Sequence, residues 1–561
     1  PEVDKVKSTS KPGVSILSVS IKDTYFDLEP IWQDMRNIVI ETPLPSGSQP
    51  PRVNDSFGDV FPYLFALQGD GFSQAELLNT AEAIRDELLA TPGVGKVELH
   101  GAQQERIYLE FSASELAAQG LSPLQLMQAL NGQNAIASSG SVRSGVDRLN
   151  LVTLGEFESV EQLAAYRIAI PGESSTVRLS DLVDVRRAYV DPASSFSHFN
   201  GERVLCIAAS MIEGEAVTRV GENIMACLES IQRDLPIGLN IETMFFQPQY
   251  VDKSIGDFIV NLGQAFFFVV LVMFLFAGIR LALIVGILVP STVLMAFAFM
   301  PSVGVELEMM SIAALIIALG LLVDNAVVVS EQILVRLNAG GDRMASVVDA
   351  CKDLLVPLLA ASCTTIAAFS PIALAGGGSS EFTFSLFAVV SLALISSWLL
   401  SLTIIPLACF YFLKPLKRDT FIGRQLSRCY DPYERLLRRT LKLRWGYPIL
   451  ILVLTLVSGM AFKLVPSIFF PPNERGQFVI NFELPLGTDI AETERQVVEL
   501  EQWLLQSNAD AVKAVSSWIG NGGPRWYLAL SPEAANPNYA LLSVMTHTES
   551  PDELSAFLQH V

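Results

Sequence analysis

The chain has 561 residues, half of them hydrophobic and 17% charged, with a formal net charge of −20. That length holds several domains, and so acidic a balance excludes a nucleic-acid binder, because phosphate must be neutralised by Lys and Arg. The average hides two regimes: residues 1–250 and 466–561 have an ordinary soluble composition rich in Asp and Glu, whereas 258–465 carry long apolar runs.

Residues 1–50 read as the truncated end of one soluble subdomain. A second spans 51–100 and 191–250. Its first unit is a strand at Tyr63–Gln68, a helix at Ala75–Ala90 and a strand at Gly95–His100. Its second is a strand at Arg203–Met211, a helix at Ala216–Arg233 and a strand at Leu239–Phe246. One strand–helix–strand unit cannot bury its own sheet, so two side by side imply a ferredoxin-like α+β sandwich. Residues 101–190 are an insertion, with a strand at Arg106–Phe111, a helix at Ser122–Asn134 and a hairpin whose tip is Ser138–Asp147. Gly and Ser at that tip suit turns.

Six apolar runs follow: Phe258–Phe276, Leu281–Met300, Met309–Val329, Leu354–Ala375, Phe382–Leu413 and Tyr447–Val465. About 20 apolar residues make a helix that crosses the ~30 Å hydrocarbon layer. Five spans therefore occupy 251–413, a basic segment 414–446, and the sixth span 447–465. The basic segment runs from Lys414 to Arg444, and the loops after the first and third spans carry Arg280 and then Arg336, Arg343 and Lys352. Pro301–Glu308 and Gly376–Glu381 contain neither Lys nor Arg. Basic loops stay cytoplasmic. Both soluble parts therefore lie on the opposite side, where the acidic surface either attracts cationic solutes or is simply solvated. After the last span, 466–561 begins a third sandwich, with strands at Gln477–Leu484, Val512–Ile519 and Tyr539–Thr546 and a helix at Ile490–Gln506. The chain starts at Pro1 and stops within an apparent helix, Pro551–Val561, which is the expectation for a piece of a longer protein.

Asp324 lies about fifteen residues into the third span, within Gly320–Val329. A charged carboxylate at that depth costs at least ~2.5 kcal/mol. The neutral form is favoured until a cation approaches, which suits a proton carrier. The competing reading is a static ion pair holding helices together. Asn325 beside it can hydrogen-bond but not titrate. Ser362, Thr364, Thr365 and Ser370 in the next span are hydroxyls that could hold water near a relay, and Pro371 with Gly376–Gly378 is expected to end that helix. The six cysteines form no metal-like cluster, although a Cys206–Cys227 disulfide is conceivable. His100, His198, His547 and His560 are scattered outside the membrane and read as ordinary surface or core residues. There is no phosphate-binding Gly-rich loop, HExxH or GxSxG, so an enzyme has the least support.

Gly320–Val329 resembles the fourth transmembrane helix of the resistance-nodulation-division (RND) efflux permeases. Thr91–Val97 resembles their porter-domain turn, Arg178–Val185 the end of their docking subdomain, and Phe199-Asn200-Gly201 follows in place. Phe369–Leu374 with Gly376–Gly378 resembles the end of the fifth helix, and Phe470–Gln477 the lead-in to the second periplasmic half. The resemblance covers essentially the whole chain. It implies the middle of a protein about twice this long, in the hydrophobe and amphiphile exporting branch. The implied fold is a transmembrane helix bundle with periplasmic ferredoxin-like porter subdomains and a docking subdomain. The implied function is proton antiport without a cofactor, powered by the proton gradient. It further implies a homotrimer in the bacterial inner membrane, working with a periplasmic adaptor protein and an outer-membrane channel on small hydrophobic or amphiphilic substrates. Asp324 and Asn325 match the proton-translocating pair, with Asn325 where well-known members have a second Asp. The alternatives are a metal-cation exporter of the same superfamily, or a membrane sensor or translocation accessory with a related bundle.

Overall fold

The computed structural model describes residues 2–548 apart from 12–13, 23, 26, 46–47, 52, 55–57, 134–136, 145–146, 154–156, 170–175, 375–377, 414–431, 439–445 and 463–474. The chain divides into two units, 1–57 with 249–471 and 58–248 with 472–561. In chain order, β1 (Val3–Lys11) and β2 (Val14–Ile21) form an antiparallel hairpin ahead of α1 (Glu29–Glu41). Then come β3 (Tyr63–Gly69), α2 (Gln74–Leu89) and β4 (Val94–His100). The insertion holds β5 (Glu105–Glu110), α3 (Ala113–Ala118), α4 (Pro123–Gln133), β6 (Ala137–Ser144), β7 (Asp147–Thr153), α5 (Val160–Ala164), β8 (Arg167–Ala169), β9 (Thr176–Arg178) and β10 (Asp184–Tyr189). Next are β11 (Phe196–Phe199), β12 (Glu202–Met211), α6 (Val217–Asp234) and β13 (Leu239–Phe246).

The apolar helices are α7 (Gln247–Ala277), α8 (Ile279–Phe299), α9 (Met309–Asn338), α10 (Arg343–Leu374), α11 (Gly378–Phe412) and α12 (Gly446–Ala461). The first five are long and apolar enough to cross a membrane, and α12 is a shorter apolar helix over its described residues. Pro371 lies inside α10, whose described residues end at Leu374, three residues later and ahead of Gly376–Gly378. The expected basic segment 414–446 falls mostly outside the described residues, as does the expected last helix at 551–561; of the expected hairpin tip Ser138–Asp147, residues 138–144 belong instead to β6 and Asp147 opens β7, while 145–146 lie outside the described residues. The chain ends in β14 (Gln477–Glu483), α13 (Ile490–Ser507), β15 (Val512–Ile519) and β16 (Tyr539–Thr546).

In the unit built from 58–248 and 472–561, local chemistry starts the elements. The Ser73 side chain accepts from the Glu76 backbone while the Glu76 carboxylate accepts from the Ser73 N–H at 2.8 Å, a capping box that satisfies two free amides at the start of α2. Leu77, Ala81, Ile84 and Leu88 then recur at helical spacing and bury on Leu205, Ile207 and Ala209, the alternate residues of β12. Val220, Ile224, Leu228 and Ile231 of α6 join them. Each such side chain contributes about 1.5–3 kcal/mol when fully buried. Ile490, Val497 and Leu504 of α13 cover a second cluster with Val515, Ile519, Leu542 and Val544. The insertion has its own small core around Leu116, Leu126, Leu163 and Leu179.

Strand order departs from two separate sandwiches. One eight-stranded sheet runs β13-β3-β12-β11-β15-β16-β14, with β4 also on β12. The link is β11, where Ser197 stands opposite Val204 of β12 and Trp518 of β15. All four residues of β11 are buried. A strand buried on both faces shows no polar alternation, which is why it escapes a pattern-based reading.

In the unit containing the long helices, α9 packs with α8, α10 and α11. Its buried residues Leu315, Leu319, Leu322, Ala326, Val329 and Ile333 follow a 3–4 spacing, so one side of the helix is covered and the other is not.

Candidate functional site in the third apolar helix

Helix α9 is capped by Glu308, whose backbone N–H donates to Ser311 Oγ at 2.7 Å. Asp324 stands about fifteen residues further, some 22 Å along the axis at about 1.5 Å per residue. Asp324 and Asn325 are neighbours in sequence, but the ~100° turn per residue sends them to different sides. Asn325 faces inward and is 6% exposed. Its Nδ2 donates to Ser362 Oγ of α10 and Ser397 Oγ of α11, both at 3.4 Å. The Ser397 hydroxyl donates in turn to the Leu322 carbonyl at 2.6 Å. One amide thus ties three helices together, which is how polar side chains serve between apolar helices. One turn from Ser397, Ser401 Oγ is buried without a partner among the described residues.

Asp324 lies on the uncovered side of α9, with Gly320 and Val328 one turn to either side. Among the described residues it makes no hydrogen bond and no ion pair, so the static-pin reading finds no partner here. At Gly320 an added Cβ would meet nothing within 4 Å, so the stripe beside the carboxylate is open.

Of the hydroxyls singled out in α10, only Ser362 is brought to the site. Thr364 donates to the Ala360 carbonyl, Thr365 to Ala361 and Ser370 to Ala367, each within its own helix. Sequence reasoning missed Ser397. Its signal was a pair of adjacent serines, Ser396-Ser397, inside an otherwise apolar run. Elsewhere, Cys206 and Cys227 are both free thiols, and burial pushes the Cys206 thiol up to about 12.

This arrangement sits within a sequence match that covers nearly the whole chain: the AcrB/AcrD/AcrF family profile matches residues 1–531. The chain belongs to that family. Among similar proteins, the toluene efflux pump membrane transporter TtgE of Pseudomonas putida is 27% identical over 465 residues, 78% of this chain and 44% of that protein. The multidrug resistance protein MdtC of Pantoea ananatis is 26% identical over 488 residues, 85% of this chain and 47% of that one. The swarming motility protein SwrC of Bacillus subtilis is 23% identical over 595 residues, 98% and 55% respectively. The chain spans about half the length of the curated relatives it matches. Membership bears out the RND resemblance, and TtgE is itself named as a membrane transporter. Family membership and the five long apolar helices together make this a membrane protein.

Proposed function

We propose that this chain is part of a proton-driven exporter of hydrophobic or amphiphilic compounds, with Asp324 as the proton carrier and Asn325 as its fixed, non-titrating neighbour. The observation that carries the reading is Asp324 itself, a carboxylate at mid-helix on an uncovered face and without a partner among the described residues. Intramembrane carboxylates mark ion pathways by default. An open face is where a second helix bundle bearing a cation would dock. Protonation from outside would neutralise Asp324 and release that docking. The chain passes from β13 into α7 with no intervening residue, so a shift of the bundle has a covalent route into the porter sheet. Rigid-body rotation of porter subdomains would then open and close a drug path. The same reading puts the full-length protein in the bacterial inner membrane as a homotrimer, with its soluble parts in the periplasm, docked to an adaptor protein and an outer-membrane channel.

The functional test is reconstitution. Proteoliposomes holding the full-length protein should show drug-driven proton counterflow under an imposed pH gradient. Drug movement with no proton counterflow would overturn the antiport.

Orientation has a separate test. The α8–α9 loop contains the exposed Glu306 and the α9–α10 loop the exposed Ala339. With the basic loops inside, Glu306→Cys should react with an impermeant thiol reagent in intact cells that are permeable to it at the outer membrane. Ala339→Cys should react only after the inner membrane is opened. The opposite pattern would reverse the topology.

A further inference from the structure

His198 differs from the other histidines in its surroundings. It sits on β11 and is 1% exposed. Its Nδ1 is 3.2 Å from Glu501 Oε2 and its Nε2 is 3.0 Å from Glu494 Oε1. Both carboxylates come from α13, some 300 residues away along the chain. Glu501 is fully buried. Opposite His198 on β12 is Arg203, whose guanidinium grips Glu494 through Nε and Nη2 and lies 4.2 Å over the Phe196 ring. Opposite it on β15 is Ser517, which does not titrate. Among the described residues, the charged groups facing His198 are therefore Glu494 and Glu501 from α13 and Arg203 from β12.

The two carboxylates favour the protonated ring: an ionised carboxylate can only accept, so a ring with a carboxylate at each nitrogen holds them best with a hydrogen on each, as the imidazolium. A neutral ring would turn one lone pair onto a carboxylate in a buried site.

We propose that His198, Arg203, Glu494 and Glu501 form an ionic clasp that fastens the linking strand β11 to helix α13, stays closed through neutral pH, and opens when alkali removes the imidazolium proton. The strand it fastens is the one through which the eight-stranded sheet is continuous, so an open clasp would loosen the sheet at its middle. The inference is independent of the transport reading, since its test reads stability and not export.

The direction of the pH dependence follows from two groups. Burial lowers the His198 pKa, but the hydrogen bonds its ring donates to Glu494 and Glu501, with the charge of those carboxylates, outweigh it and raise it from 6.5 to about 9. A raised pKa gives stability that is full below about 6.5 and lost as pH climbs through about 9. For Glu494, burial raises the pKa, but the bonds from His198 and Arg203 outweigh it and bring it from 4.5 down to about 2. Its contribution is full above about 4.5 and lost as pH falls through about 2. The clasp is therefore tightest between about 4.5 and 6.5.

The experiment is thermal unfolding and hydrogen exchange of the full-length protein in detergent from pH 5 to 10. The melting temperature of the unaltered protein should fall as pH rises through about 9. His198→Gln should lower it at pH 6 and remove that alkaline step, so that the two curves converge at pH 10. Glu501→Gln keeps an acceptor for Nδ1–H but removes a charge, and should move the step to lower pH. In the unaltered protein, amides of β11 and α13 should lose at least ~10-fold protection between pH 7 and 10, corrected for intrinsic rates, before the rest of the sheet opens. That last readout needs no variant and stands even if a substitution prevents folding. Parallel melting curves for the unaltered protein and His198→Gln, an unmoved step in Glu501→Gln, or uniform protection across the sheet would each overturn the clasp.

Discussion

In proteoliposomes holding the full-length protein, Asp324→Asn should abolish uphill movement of drug while leaving the amount of protein in the membrane unchanged. A single proton crossing 100 mV supplies about 2.3 kcal/mol. At ~1.4 kcal/mol per tenfold, that sustains roughly a 50-fold gradient of a neutral solute. Without a carrier the attainable gradient drops to one. Asn has the shape of Asp and no titratable proton. Asn325 cannot replace it, because an amide does not ionise and its Nδ2 is committed to Ser362 and Ser397. A packing role for Asp324 would show differently, as loss of folded protein with unaltered coupling in the surviving molecules. Asp324 is exposed and has no partner among the described residues, so its replacement leaves the described packing untouched. The packing role belongs to Asn325. Asn325→Ala takes the amide from the buried Ser362 hydroxyl and leaves Ser397 only its bond to the Leu322 carbonyl, at about 1–3 kcal/mol. It should lower the melting temperature and reduce transport only as far as it reduces folded protein. If Asp324→Asn still concentrates drug against its gradient when a pH gradient is imposed, Asp324 is not the proton carrier.

Trp526→Ala should strongly destabilise the unit built from 58–248 and 472–561. The Trp526 and Trp518 rings stack with centroids 4.8 Å apart and 27° between planes. Both residues are 1% exposed. The loop carrying Trp526 is closed onto the sheet by Gly523, whose φ is +64° and where an added Cβ would lie 2.5 Å from the Trp518 ring. The Phe61 N–H donates to the Arg525 carbonyl at 2.7 Å, which fixes the same loop from the other side. Removing a buried Trp costs about 3–5 kcal/mol in lost transfer energy and cavity. The expected result is a lower melting temperature and rapid cleavage within residues 520–538 under limited proteolysis. Gly523→Ala should act in the same direction, through strain at positive φ and contact with the ring. Unaltered protease resistance in Trp526→Ala would mean that the loop does not cover the sheet.

Much of this protein was legible in order along the chain. The apolar runs set the membrane helices, because a span is defined by its own length and composition. Alternation and helical spacing located β12, α6, β13, α13, β15 and β16 to within about two residues. The carboxylate in the third span, at Asp324, was visible because a charge within an apolar run stands out without any tertiary information. What those residues face was not visible. Asp324 and Asn325 are adjacent in sequence, yet one is open and the other ties α9 to Ser362 and Ser397. That difference depends on which side of α9 the helices α10 and α11 cover. The short strand β11 shows no alternation because it is buried on both faces, and only its two ladders reveal that one sheet runs through residues 63–246 and 477–546. His198 looked like any isolated histidine, since Glu494 and Glu501 lie some 300 residues away. Local periodicity carries information over a few turns of chain, whereas burial and pairing between distant segments are properties of the packed structure alone.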